Sequence, residues 1–289
     1  MAQLARSVKV QFFSLDRAPN PSPNVDWAKK LTKQSKKQAA ISHKYNGGEV
    51  HGLIENLSST PGVSFAVDRA TTPRQRDTAS GKRTSLRVSP NHEPIEETYV
   101  RFFDDNVIGL IQTSTSAPHP AAIALWLNET FPEKNDDRWF INPLIASDTI
   151  HRIQNAKEIR KTEFTVPVSD LPTTGFLSTL VGGARGLDPQ VKISLTISAG
   201  YGQNRAHAQA DAATAANEII ADLGRYSAAK VGVVDPGQTA SELVNVLADR
   251  LSYSAAVPIN GRTLSSTSAY AEIEATYDAH KKSIIAAVP

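Results

Sequence analysis

"YVRFFDDNVIGLIQTS", residues 99–114, decides the class of fold. Two runs of β-forming residues flank Asp104, Asp105 and Asn106, residue types that tolerate the left-handed backbone of a tight turn, so the stretch reads as a β-hairpin. Hairpin strands pair antiparallel. On either side, strand and helix patterns mix without the regular alternation of a parallel βαβ sheet. The expectation is an α+β protein with mixed, largely antiparallel sheets, packed helices and a C-terminal β-hairpin followed by a helix.

Upstream, residues 7–15 and 63–68 alternate as strands, 25–41 reads as a helix capped by Asn24, 46–48 is a turn, and 48–57 fits either strand or short helix. Downstream, helices are predicted at 119–131, at 147–156 with Ser147 or Asp148 as cap, and at 204–224 ending on Gly224. Strands are predicted at 138–145, 159–168, 191–200 and 230–237, and residues 240–251 read as helical. Asn260–Gly261 suits a type I′ turn joining strands at 251–259 and 262–268. The last helix places Tyr270, Ile273, Tyr277 and Ile284 on one face. No repeat with a period of 20 to 50 residues is evident. A breaker, LPTTG, sets a soft boundary near residue 170, giving domains 1–170 and 171–289, with a flexible loop at 69–97.

The 289 residues are 40% hydrophobic and 21% charged, the composition of a folded domain. Absence of Cys excludes disulfides, iron–sulfur clusters and thiol nucleophiles, and leaves His and carboxylates as metal ligands. MAQLARSVKVQFF has no signal-like apolar run and no apolar stretch of spanning length follows, so the expected location is the cytoplasm, without a membrane partner. Walker A, GxSxG, HExxH and GxGxxG motifs are absent.

Charge is segregated: 15 basic against 6 acidic residues give +9 over residues 1–92, followed by −7 over 93–150 and zero over 151–289. Such an N-terminal third attracts a polyanion, or docks on the acidic segment of its own chain. Lys29, Lys30, Lys33, Lys36 and Lys37 form a basic face on the predicted helix 25–41, opposite Trp27, Ala28, Leu31 and Ala39. The stretch 69–90 adds Arg69, Arg74, Arg76, Lys82, Arg83 and Arg87 among Thr, Ser and Gly. Both fit phosphate contacts, and both also fit a solvated helix face and a surface insertion. On helix 204–224, His207, Asp211 and Glu218 share a polar edge with Thr214 and Asp222, a spacing able to hold a divalent metal or to be the wet edge of an amphipathic helix. Asp104, Asp105, Asp136, Asp137 and His151 sit near predicted turns and strand ends, and GGARG at 182–186 is a phosphate-loop candidate without the P-loop lysine. Trp27, Trp126 and Trp139 read as core. No cofactor is predicted, with a divalent metal left open.

Two stretches, DTIHRIQNAKEIRKTEFTV (148–166) and VNVLADRLSYSAAVPINGRTLSSTSAYAEIEATYDAHKKSI (244–284), resemble uncharacterised proteins of bacterial mobile elements and phage-defence or toxin loci. In the second, a predicted helix, a hairpin with an Arg-led strand and a Tyr-containing helix follow in order. The resemblance implies a bacterial or prophage setting, with nucleic acid or a defence protein as target, and transfers no catalytic residue. The leading expectation is a nucleic-acid-binding component of such a system. The alternatives are a metal-dependent nuclease or nuclease-like toxin, and an oligomeric protein-interaction subunit.

Overall fold

The computed structural model describes residues 5–18, 25–45, 48–55, 60–69, 74–76, 83–85, 94–133, 137–188, 191–200, 205–259 and 264–288, with backbone alone at 74–76 and 83–85. In chain order the elements are β1 (Ala5–Ala18), α1 (Trp27–Ser35), β2 (Ala40–Tyr45), β3 (Gly48–Glu55), β4 (Gly62–Asp68), β5 (Arg74–Arg76), β6 (Arg83–Ser85), β7 (Ile95–Phe102), β8 (Val107–Gln112), α2 (Pro120–Thr130), β9 (Arg138–Pro143) and α3 (Ser147–Gln154). There follow β10 (Glu158–Pro167), α4 (Gly175–Val181), β11 (Lys192–Ser198), α5 (Arg205–Ala221), β12 (Ala228–Val234), β13 (Glu242–Asn245), β14 (Ser252–Pro258) and α6 (Ser266–Ala286). The class is α+β. No helix among the described residues is long and apolar enough to cross a membrane.

Two compact units result: Met1–Ile141 with Ser252–His280, and Asn142–Leu251 with Lys281–Pro289. The expected boundary near 170 thus lies inside the second unit, because β10, which ends at Pro167, pairs with β11 and β12 rather than with anything upstream. The C-terminal strand returns to the first unit.

In the first unit β1 pairs with β14 along its first half, with β8 further on, and also with β9; the sheet runs β14-β1-β8-β7-β4-β3-β2. Side chains alternate along each strand, so every strand supplies both faces. Phe13, Leu15, Val63, Phe65, Val100, Phe102, Ile108 and Leu110 face α1 and α2, which contribute Trp27, Leu31, Ile123, Trp126 and Leu127. The alternate residues meet α6. Phe103 stacks on Tyr277 at 3.9 Å, Phe12 lies 6.1 Å from the same ring, and Tyr99 meets Tyr270 edge-on at 5.9 Å. Buried Arg101 pairs with Glu274 and donates to Thr60 O at 2.7 Å, so its charge has partners within this layer. The 104–106 turn is as expected: Asp105 and Asn106 have φ of 59° and 53°, with Phe102 opposite Ile108 across the hairpin. Asn106 Oδ1 also accepts from Val25 N at 3.0 Å, which ties the turn to the entry of α1.

The second unit is a four-stranded antiparallel sheet, β11-β10-β12-β13. Phe164, Val166, Val231 and Val233 pack beneath Ala215, Ala216 and Ile219 of α5 and Leu177 and Val181 of α4. The small Ala side chains let α5 lie close to the strands, and Thr162 Oγ1 reaches Ala212 O at 2.8 Å.

Several expectations are corrected. α1 ends at Ser35, not 41, its cap is Asp26, whose side chain accepts from Lys29 N at 2.8 Å, and Ile41 belongs to strand β2. Asn24 lies outside the described residues. Ala146 caps α3, without a side-chain bond, and Gly224 sits in a 3-10 turn after α5 with no positive φ. Residues 242–245 form strand β13 rather than helix, because β12 offers an edge that completes their hydrogen bonds. The expected hairpin around Asn260–Gly261 is replaced: β14 pairs with β1, and residues 266–268 begin α6. Residues 260–263 lie outside the described residues. Within the expected loop 69–97, β5 and β6 pair as a ribbon and β7 begins at Ile95.

A Cβ on Gly52 would fall 2.5–2.7 Å from the Trp126 ring. That ring is held edge-on to Phe65 and by its N–H to Ile41 O at 2.9 Å, so it has no free direction to retreat. Gly52→Ala is expected to cost about 1–3 kcal/mol, read as a lowered urea midpoint at unchanged m-value.

Candidate functional site

Four cations converge on one cleft of the first unit. Its volume is about 720 Å³, and Arg17, Lys30, Lys33 and Lys37 line it together with Glu133 and Asp137. Arg17 comes from the end of β1, Lys30 and Lys33 from α1 and Lys37 from the turn after it, Glu133 from just beyond α2, and Asp137 from just before β9.

Local packing explains the arrangement. Trp27 and Leu31 bury one side of α1, which brings Lys30 down its flank. Asn128 of α2 clasps the Trp139 backbone, accepting from its N at 2.7 Å and donating to its O at 3.0 Å, and so draws β9 beneath the same helix. The Lys30 ammonium then lies 5.2–5.3 Å from the ring centres of Trp27, Phe131 and Trp139. Three π faces and the Glu133 carboxylate, 2.7 Å away, satisfy it. Glu133 also accepts from Arg17 at 3.3 Å, while Arg17 Nε is 3.7 Å from the buried Asp137 carboxylate. Burial raises the Glu133 carboxyl, but the Lys30 hydrogen bond and the Lys30 and Arg17 charges outweigh it and hold it below the usual carboxylate range.

The five lysines therefore separate. Lys30 faces inward and is compensated. Lys33 and Lys37 are exposed on the cleft wall with no ion-pair partner among the described residues, and Lys29 and Lys36 are exposed outside it. Because α1 is short, Lys36 is its C-cap and Lys37 lies beyond it, so the continuous lysine face expected over 25–41 is broken. Arg69 pairs with Glu96 at 3.2 Å. The backbones of Arg74, Arg76 and Arg83 are in β5 and β6, and Lys82 and Arg87 lie outside the described residues.

The polar edge of α5 is dispersed. His207 and Asp211 are exposed, Thr214 bonds Ala210 O at 2.9 Å, and Asp222 pairs with Arg225. Glu218 accepts from Phe176 N at 2.7 Å and Leu177 N at 2.9 Å, capping the start of α4 from the neighbouring helix. Gly175, at φ 86°, leaves room for it, since a Cβ there would lie 2.6 Å from Oε1. Among the described residues no group of three or more His, Asp or Glu side chains is placed to hold a metal ion. Asp104 and His151 are exposed, Asp136 lies outside the described residues, and residues 182–184 of GGARG form a 3-10 turn.

Two clusters escaped the sequence reading. Ser42 Oγ lies 2.7 Å from His51 Nδ1, and His51 Nε2 lies 3.6 Å from Asp68, across β2, β3 and β4. The Asp68 side chain is 50% exposed there, so water competes for each partner. The second is the ring cage of Lys30, whose members are too far apart in sequence to leave a motif. No protein-family model matches the chain, and no curated protein matches its sequence.

Two substitutions check these roles. Glu218→Ala is expected to cost about 1–2 kcal/mol and to speed amide exchange at Phe176 and Leu177. For Glu133, whose pKa is depressed on folding, the stabilisation is present above the unfolded value and is lost as pH falls through the folded one. Glu133→Gln is expected to cost about 1 kcal/mol at neutral pH, with the gap to wild type closing toward pH 3 in urea titrations.

Proposed function

We propose that the protein binds nucleic acid through its phosphates, at the cleft beside α1. The observation that carries this reading is the pair Lys33 and Lys37, exposed on one concave wall without a carboxylate partner among the described residues, beside the exposed Lys29 and Lys36. Ammonium groups held this way neutralise phosphates and release counterions, so affinity is independent of sequence and falls steeply with salt. The rings around Lys30 are buried, so the cleft lacks a stacking platform and reads charge rather than bases.

Part of the basic surplus is used internally. Arg17 and Lys30 pair with Glu133, and Arg69 with Glu96, joining the basic third of the chain to its acidic middle. The nucleic-acid reading therefore concerns the uncompensated lysines. A place in a defence or mobile-element system rests on the sequence resemblance alone.

Anisotropy titrations with a single-stranded 20-mer between 50 and 200 mM salt test the proposal. The combined Lys33→Ala, Lys36→Ala and Lys37→Ala protein should bind about tenfold or more weakly at 50 mM and show a log–log salt slope shallower by roughly 2. Absence of binding at 50 mM salt, or binding indifferent to the triple substitution, overturns it.

A further inference from the structure

The charge left over in the cleft narrows the ligand. Among the described lining residues, Lys30 is neutralised by Glu133 and Arg17 is shared between Glu133 and Asp137, so four cations and two carboxylates leave a net +2 that resides on Lys33 and Lys37. Both sit on one stretch of chain, with Gln34 between them as a neutral hydrogen-bonding amide. A strand passing over a flat basic face presents singly charged phosphodiesters one after another, and answers best to cations spread along its path. This cleft instead gathers two charges that have no ion-pair partner among the described residues around a concavity of about 720 Å³, while Lys29 and Lys36 of the same segment stay outside it. A phosphomonoester carries about −1.5 to −2 at neutral pH on three acceptor oxygens, which matches two ammonium groups in charge and in donor supply.

From this we infer that the cleft binds a terminal phosphomonoester, with Lys33 and Lys37 as its charge partners and Gln34 as a neutral donor. The inference rests on the cleft assigned above and deepens the nucleic-acid reading by naming the group recognised. The same chemistry is offered by the phosphorylated end of a strand and by a small phosphorylated metabolite such as a mononucleotide. The carboxylates serve recognition too. Glu133 and Asp137 hold Arg17 and Lys30 in place and cancel their charge, so an entering phosphate meets a field of two charges and not four.

The experiment compares the full chain's affinity for one oligonucleotide bearing a 5′-phosphate, a 3′-phosphate or neither, with a nucleoside monophosphate as competitor. A terminal phosphate should tighten binding about fivefold or more, and the gain should shrink below about pH 6, where the monoester takes up a proton and keeps a single charge. Lys33→Gln with Lys37→Gln should abolish the gain. Lys29→Gln with Lys36→Gln should weaken all strands alike and keep it. Displacement by the mononucleotide at strand-like concentration assigns the site to a free phosphomonoester, and displacement only by phosphorylated strands assigns it to a strand end. Equal affinity for phosphorylated and unphosphorylated strands overturns this inference and leaves the nucleic-acid reading standing. Binding of the mononucleotide without binding of any strand does the reverse, and binding of neither removes both.

Discussion

Phe12 and Phe13 are neighbours in β1 and point to opposite faces of the larger sheet, and the first unit is built around that constraint. A central antiparallel strand with a large ring on each side requires a hydrophobic layer on each side. Here α1 and α2 cover the Phe13 face, and α6 covers the Phe12 face from the far end of the chain. Close approach is secured by the absence of side chains at Gly52, Gly62 and Gly109, where Trp126, Tyr270 and Ile273 occupy the space a Cβ would take. Burial of rings at this density supplies stabilisation that isolated hairpins lack.

The cleft is a consequence of the same packing. To bury Trp27 and Trp139 edge to face, at 5.1 Å, the start of α1 and the start of β9 must come together, and their polar neighbours come with them. Lys30 is then placed over the rings, Glu133 over Lys30, and Arg17 over Glu133. The basic N-terminal third and the acidic middle of the chain meet in this way, which forms a local network and leaves Lys29, Lys33, Lys36 and Lys37 outside it, two of them, Lys33 and Lys37, on the cleft wall. Function is proposed at the remainder.

Legibility in the sequence tracked how local the deciding interaction was. The 99–114 hairpin was readable because strand alternation and turn residues lie within sixteen positions. The end of α1 was misread because Lys36–Ala39 suits a helix well enough on its own, whereas the pairing of β2 with β3 claims the chain from Ala40. Residues 242–245 were misread for the same reason, as β12 overrides a helical pattern there. Glu218 looked like a metal ligand because it shares a helix edge with His207 and Asp211, and its use as a cap depends on α4, whose bonded residues come 42 and 41 positions earlier.

By itself the sequence determined the α+β class, most of the regular elements, the burial of all three tryptophans and the segregation of charge, since each follows from periodicity or composition. Tertiary structure alone decided which of five lysines is spent and which two others join it on the cleft wall. The physical reason is separation: Arg17 and Glu133 are 116 positions apart and Lys30 and Glu133 are 103 apart, so their pairing depends on how the sheet and helices close.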